Sequence, residues 1–180
     1  MVYCCGGSKT MTKGLRAVTI FMAVFFTLVG IGGAAQDREL DETFLLLMAA
    51  RNAAKAKQYE QSVNRYQRLL EKDPGLTDAR TELGWVLVRA GKPDEARTHF
   101  QTVLKSRPRD AEALKGLLES LKKSGQEDEV LKVLEQLVAV LPEDRDLRMQ
   151  LAVELHNRGR YAEAEKHLSI LLQKDPGQDK

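Results

Sequence analysis

The heptapeptide LLEKDPG at Leu69–Gly75 returns as LLQKDPG at Leu171–Gly177, one letter changed after an interval of 102 residues. That interval is three times 34, and Pro74, Pro108, Pro142 and Pro176, four of the chain's five prolines, fall at 34-residue steps. A proline has no backbone N–H and fixes φ, so a helix ends at it and a turn follows. The phrase therefore marks one turn repeated at constant spacing.

Laid out from Thr43, the chain forms rows 43–76, 77–110, 111–144 and 145–178 without an insertion. Gly91, Gly125 and Gly159 share a column. So do Ala49, Leu83, Leu117 and Leu151; Ala53, Leu87, Leu121 and Leu155; Leu69, Val103, Leu137 and Leu171; and Tyr66, Phe100, Leu134 and Leu168. Within a row, apolar residues recur at helical spacing in two runs separated by the glycine column. In row two, Leu83, Leu87 and Ala90 line one face, and Ala96, Phe100, Val103 and Leu104 the next. Gly91 can end the first helix in the left-handed conformation, Pro93 suits the first turn of the second, and Asp94 and Glu95 suit its positive end. Each row is a helical hairpin, and Lys57 and Ser62 in row one depart from the glycine and small-residue columns as a terminal repeat does.

These columns resemble the tetratricopeptide repeat family over the four rows. The residues that carry the likeness are Leu83–Gly84, the small Ala96 and Ala164, the aromatic Tyr66 and Phe100, and the proline of every row. The resemblance implies an all-α, right-handed solenoid of four antiparallel hairpins. Each hairpin must stack on a neighbour to bury its apolar face. Rows two and four depart from the family, with Arg80 and Arg148 where a large apolar residue is usual.

Hydrophobic content of 43% and charged content of 30% belong to a packed domain, and a net charge of +2 without single-sign blocks gives no nucleic-acid footprint. The first 35 residues differ from the rest. Lys9, Lys13 and Arg16 precede the apolar run Ala17–Val29, and Gly33 and Ala35 place a signal-peptidase site before Gln36. An uncleaved anchor is the alternative, because Ala17–Ala35 as a helix spans about 28 Å. Residues 36–42 would link this segment to the repeats. Either form exports the repeats, to a periplasm or beyond the cell, or to the outer side of an inner membrane. Met11 can equally be the start, since MTKGLR and the run that follows make a complete signal. Cys4 and Cys5 lie upstream of the run, so a chain cleaved before Gln36 or begun at Met11 has neither a disulfide nor a thiolate, whereas an anchored chain from Met1 keeps both as candidates for palmitoylation.

Little in the rows points to catalysis. His99, His156 and His167 lack a second ligand at metal-binding spacing and read as surface histidines. Glu127, Asp128 and Glu129 suit a helix start. No glycine-rich phosphate loop or dinucleotide fingerprint occurs, so neither an enzyme nor a cofactor is expected.

In proteins of this resemblance the first helix of each hairpin faces a concave groove through its second, fifth, ninth, twelfth and thirteenth positions. Row one then offers Phe44, Leu47, Arg51, Ala54 and Lys55, and row two Asp78, Thr81, Trp85, Val88 and Arg89. Row three offers Glu112, Lys115, Glu119, Lys122 and Lys123, and row four Asp146, Met149, Val153, His156 and Asn157. Trp85, the sole tryptophan, is either packed between hairpins or an aromatic anchor for a peptide or partner helix, with Arg51, Arg89, Lys122 and Lys123 beside it for acidic groups. The clamp with which some family members hold chaperone carboxylates is missing, its sites being Leu47, Arg51, Glu82, Glu112 and Gly116. The expected function is a non-catalytic, exported scaffold for a protein or peptide partner, not a nucleic acid. A membrane-anchored structural subunit of an envelope or secretion assembly is the alternative. The apolar Leu168, Leu171 and Leu172 of the last row are expected to lack a covering hairpin and to invite self-association.

Overall fold

The computed structural model describes residues 42–173; the candidate signal segment, Cys4, Cys5, Pro176 and the second KDPG turn lie outside the described residues. These residues form α1 (42–55), α2 (Tyr59–Lys72), α3 (Thr77–Arg89), α4 (Pro93–Ser106), α5 (Ala111–Lys123), α6 (Glu127–Val140), α7 (Arg145–Asn157) and α8 (Tyr161–Gln173). Among the described residues there is no strand, and no helix is long and apolar enough to cross a membrane. The first helices α3, α5 and α7 start 34 residues apart, as do the second helices α2, α4, α6 and α8.

By contacts the chain divides into Met1–Leu45 and Leu46–Lys180. Of the former, only the first residues of α1 are described, with Phe44 and Leu45 exposed. The latter is an α-solenoid in which each helix packs on the next, and one continuous apolar core runs from Ala50 to Ala164.

The turn inside each hairpin is a Schellman motif. In row two Lys92 N–H donates to the Leu87 carbonyl at 2.9 Å and Gly91 N–H to Val88 at 3.3 Å, with Gly91 at φ +77°. Gln58, Gln126 and Arg160 donate to Ala53, Leu121 and Leu155 in the same way. Row one makes this turn with Lys57 at φ 59°, the only non-glycine residue at positive φ among those described. Stacking fixes the turn, so the lysine is held in a conformation that its Cβ disfavours. Lys57→Gly is expected to stabilise the fold by about 0.5–1 kcal/mol, read as a higher denaturant midpoint.

Turns between hairpins vary. Asp110 and Asp144 cap α5 and α7 by accepting from Ala113 and Leu147 N–H, each at 3.0 Å. At the KDPG turn Asp73 accepts instead from Gly75 N–H at 2.8 Å, closing an Asx turn. The unexpected arginines serve these turns: Arg80 donates to the Pro74 carbonyl at 3.0 Å, and Arg148 to that of Pro142. At the last hairpin Leu168 and Leu172 of α8 are exposed, whereas Leu171 of the same helix is buried rather than open to solvent as expected.

Candidate functional site

Two adjoining hollows lie along the first helices. One, of about 360 Å³, is lined by Arg51, Ala54 and Lys55 of α1, Tyr66 of α2, and Glu82, Trp85, Val86 and Arg89 of α3. The other, of about 520 Å³, is lined by Trp85, Val88 and Arg89 of α3, Lys115, Leu118, Glu119, Lys122 and Lys123 of α5, and Leu147 and Gln150 of α7. A larger one, of about 600 Å³, is made by hairpin-turn residues and the start of α2 and brings together none of the groove positions.

Trp85 and Arg89 line both hollows. Trp85 is half-buried, its ring edge-on to Phe100 with centroids 5.7 Å apart and planes at 71°. One side of the ring closes the core, and the other forms the saddle between the hollows. Val88 is buried in the wall, and Leu47 packs on the core.

Polar order is greatest in the first hollow. Arg51 Nε donates to Glu82 Oε2 at 2.8 Å, its Nη2 pairs with Glu82 Oε1, and the Tyr66 hydroxyl donates to Glu82 Oε2 at 2.6 Å. The hydrogen bond from Arg51 holds the Glu82 carboxyl below the usual range, while burial followed by the Glu82 hydrogen bond pushes the Tyr66 phenol up. Glu82 is thus committed to its neighbours. In the second hollow Lys122 Nζ donates to Gln150 Oε1 at 2.7 Å, and Lys123 stands 3.7 Å from Glu119. Lys115 stands 3.7 Å from Glu112. Lys55 and Arg89 have no hydrogen-bond or ion-pair partner among the described residues. Together the hollows present six cationic side chains against two carboxylates.

Row four contributes differently from expectation. Met149, Val153, His156 and Asn157 are exposed on α7 but line neither hollow, and His156 instead stacks edge-on with Tyr161, centroids 5.1 Å apart. Leu147 and Gln150, its third and sixth positions, complete the second hollow. The first hollow lies between α1 and α3, and the second spans α3, α5 and α7. Glu82 and Gln150 both occupy the sixth position, which the family pattern of groove residues omits.

His99 and His167 are corrected as well. Neither is a free surface residue: both are half-buried, and His167 Nδ1 is buried without a hydrogen-bond partner among the described residues. Burial, then Arg80, holds the His99 imidazole below its ordinary pKa against the pull of Glu95. Burial, then Arg148, does the same to His167 against Glu163 and Glu135.

The curated relative Interferon-induced protein with tetratricopeptide repeats 3 of Mus musculus is 27% identical over 100 residues, which cover 54% of this chain and 25% of the relative. The chain thus spans about a quarter of that relative's length. MamA, residues 41 to the end, of Desulfovibrio magneticus RS-1 superposes with a TM-score of 0.64 at 19% identity, over 77% of this chain and 78% of that one. A tetratricopeptide repeat protein of Parabacteroides merdae superposes with a TM-score of 0.70 at 15% identity, over 77% and 56%. These likenesses extend to the fold. The tetratricopeptide repeat family profile matches residues 53–121 and 121–180, more than half of the sequence, and the chain belongs to the tetratricopeptide repeat family.

Proposed function

We propose that this chain is a non-catalytic protein-interaction scaffold, exported from the cytoplasm, which takes a segment of a partner protein along its first helices. The observation that carries the reading is the pair of adjoining hollows sharing a half-buried Trp85 and an Arg89 that has no polar partner among the described residues. An aromatic anchor with one face packed and one open loses little side-chain entropy on binding. A neighbouring cation then sets the orientation of the ligand. Export is supported by the Lys9–Ala35 pattern of basic residues, apolar run and small residues.

Selection of peptides from a random display library on the full chain tests the groove. Enriched peptides are expected to lose binding to Trp85→Ala. Peptides that bind this variant as well as the parent would overturn the reading. Trp85→Ala itself should stay helical by circular dichroism while losing about 2 kcal/mol of stability, below the cost of deleting a fully buried aromatic. Complete unfolding would assign Trp85 to the core alone. For export, the mass of the chain recovered from a secreting bacterium is expected to match an N-terminus at Gln36.

A further inference from the structure

Lys55, Arg89 and Lys123 occupy the thirteenth position of rows one, two and three, one cation per repeat, and Asn157 holds that position in row four. All three cations line the hollows, with Arg89 at the junction. Lys55 and Arg89 are exposed and unpaired among the described residues, and Lys123 meets Glu119 only at 3.7 Å across an exposed helix face. An exposed pair of that kind contributes little and exchanges readily for an incoming carboxylate. A cation also suits the negative end of each helix, but the helix dipole does not require it to face a hollow.

The spacing of the ladder limits what can fit it. Here α3 packs directly on α5, and α1 is tied to α3 through Arg51 and Glu82. Helices in direct contact have axes about 8–10 Å apart. A polyproline II chain rises about 3.1 Å per residue with three residues per turn, so every third side chain lies on one face and about 9 Å further on. An α-helix rises only about 1.5 Å per residue and would need six residues per rung, which brings the side chain to a different face after most intervals.

We infer that the groove binds an extended acidic protein segment whose carboxylates recur at every third residue, one each for Lys55, Arg89 and Lys123. The inference rests on the groove reading above. Its partner is defined by charge and period, and Trp85 offers an apolar face to the residues between the carboxylates.

Fluorescence anisotropy of the full chain with short labelled peptides tests it. The probes are a peptide with glutamate at every third position, a scrambled peptide of the same composition, and a single-stranded oligonucleotide. The period-three peptide is expected to bind tightest, with an affinity that falls as salt rises. Lys55→Ala, Arg89→Ala and Lys123→Ala should each weaken it about two- to fivefold. Equal binding of the scrambled peptide, tighter binding of the oligonucleotide, or no effect of the three alanines would overturn the inference. Display-selected peptides that depend on Trp85 but lack acidic residues would also overturn it while leaving the groove reading intact.

Discussion

Gly116→Ala is expected to destabilise the protein, although the same change in the middle of a helix ordinarily gains about 0.5–1 kcal/mol. Phe100 decides the sign. Its ring comes from α4, is fully buried, and lies where α3 and α5 carry Gly84 and Gly116. A methyl group on Gly84 would stand 2.6 Å from Phe100 Cζ, and one on Gly116 would press still harder on the same ring edge. Trp85 closes another side, so the ring cannot swing away without opening the saddle of the groove. Overpacking of this kind costs about 1–3 kcal/mol, more than the gain in helix propensity. Phe100→Ala should cost about 3–5 kcal/mol, because a full aromatic side chain leaves the joint between rows two and three. The diagnostic measurement is the double variant. With Phe100→Leu already present, Gly116→Ala should be neutral or stabilising in denaturant titrations, a coupling of the size found between touching residues. Additive losses would show that the glycine is needed for some reason other than room for Phe100.

That joint shows how far a single sequence carries. The helices were legible because the 34-residue period, the glycine column and the proline column each have a local backbone cause. The partner of Phe100 was not, because Gly116 lies in the next row and nothing local to α5 calls for a glycine there. Reading two columns together would have exposed it. In row one the equivalent aromatic is Tyr66, and the residue equivalent to Gly116 is Glu82, which accepts the Tyr66 hydroxyl at 2.6 Å. Where the ring carries a hydroxyl the next repeat supplies an acceptor, and where it has none the next repeat supplies space. The same relation accounts for the part of the groove that was missed. Glu82 and Gln150 are sixth-position residues turned toward the preceding row, so a list of outward-facing positions on one helix passes over them. The cations at the thirteenth position were legible because a helix end alone places them. Which of them remain unpaired depends on neighbours that only folding brings together.

Replacing Arg148 and His167 together by Leu and Val is expected to raise stability at neutral pH by about 1–3 kcal/mol. The chain itself provides the template, since the equivalent residues of row three are Leu114 and Val133, both buried. In row four Arg148 is 9% exposed and faces an imidazole whose Nδ1 is buried without a partner among the described residues. Satisfying the Pro142 carbonyl offsets only part of that desolvation. Arg148→Leu alone should therefore gain less than the pair. Acid separates the contributions. The folded-state pKa of His167 is depressed, so the unfolded chain takes up its proton first. Stability is then level above about pH 6.5 and falls as the pH drops below it. His99 beside Arg80 adds a second decline of the same sign. Glu82, whose folded pKa is lowered by Arg51, contributes stability that begins to fall only near its ordinary value of 4.5. The window from about pH 6.5 to 5 thus isolates the two histidines. Denaturant titrations across it should show the double variant losing less stability than the parent, with the remaining decline removed by the same replacement at Arg80 and His99. A double variant less stable at pH 7, with an unchanged acid slope, would mean that the arginine–histidine pair supports the hairpin better than the leucine and valine of row three.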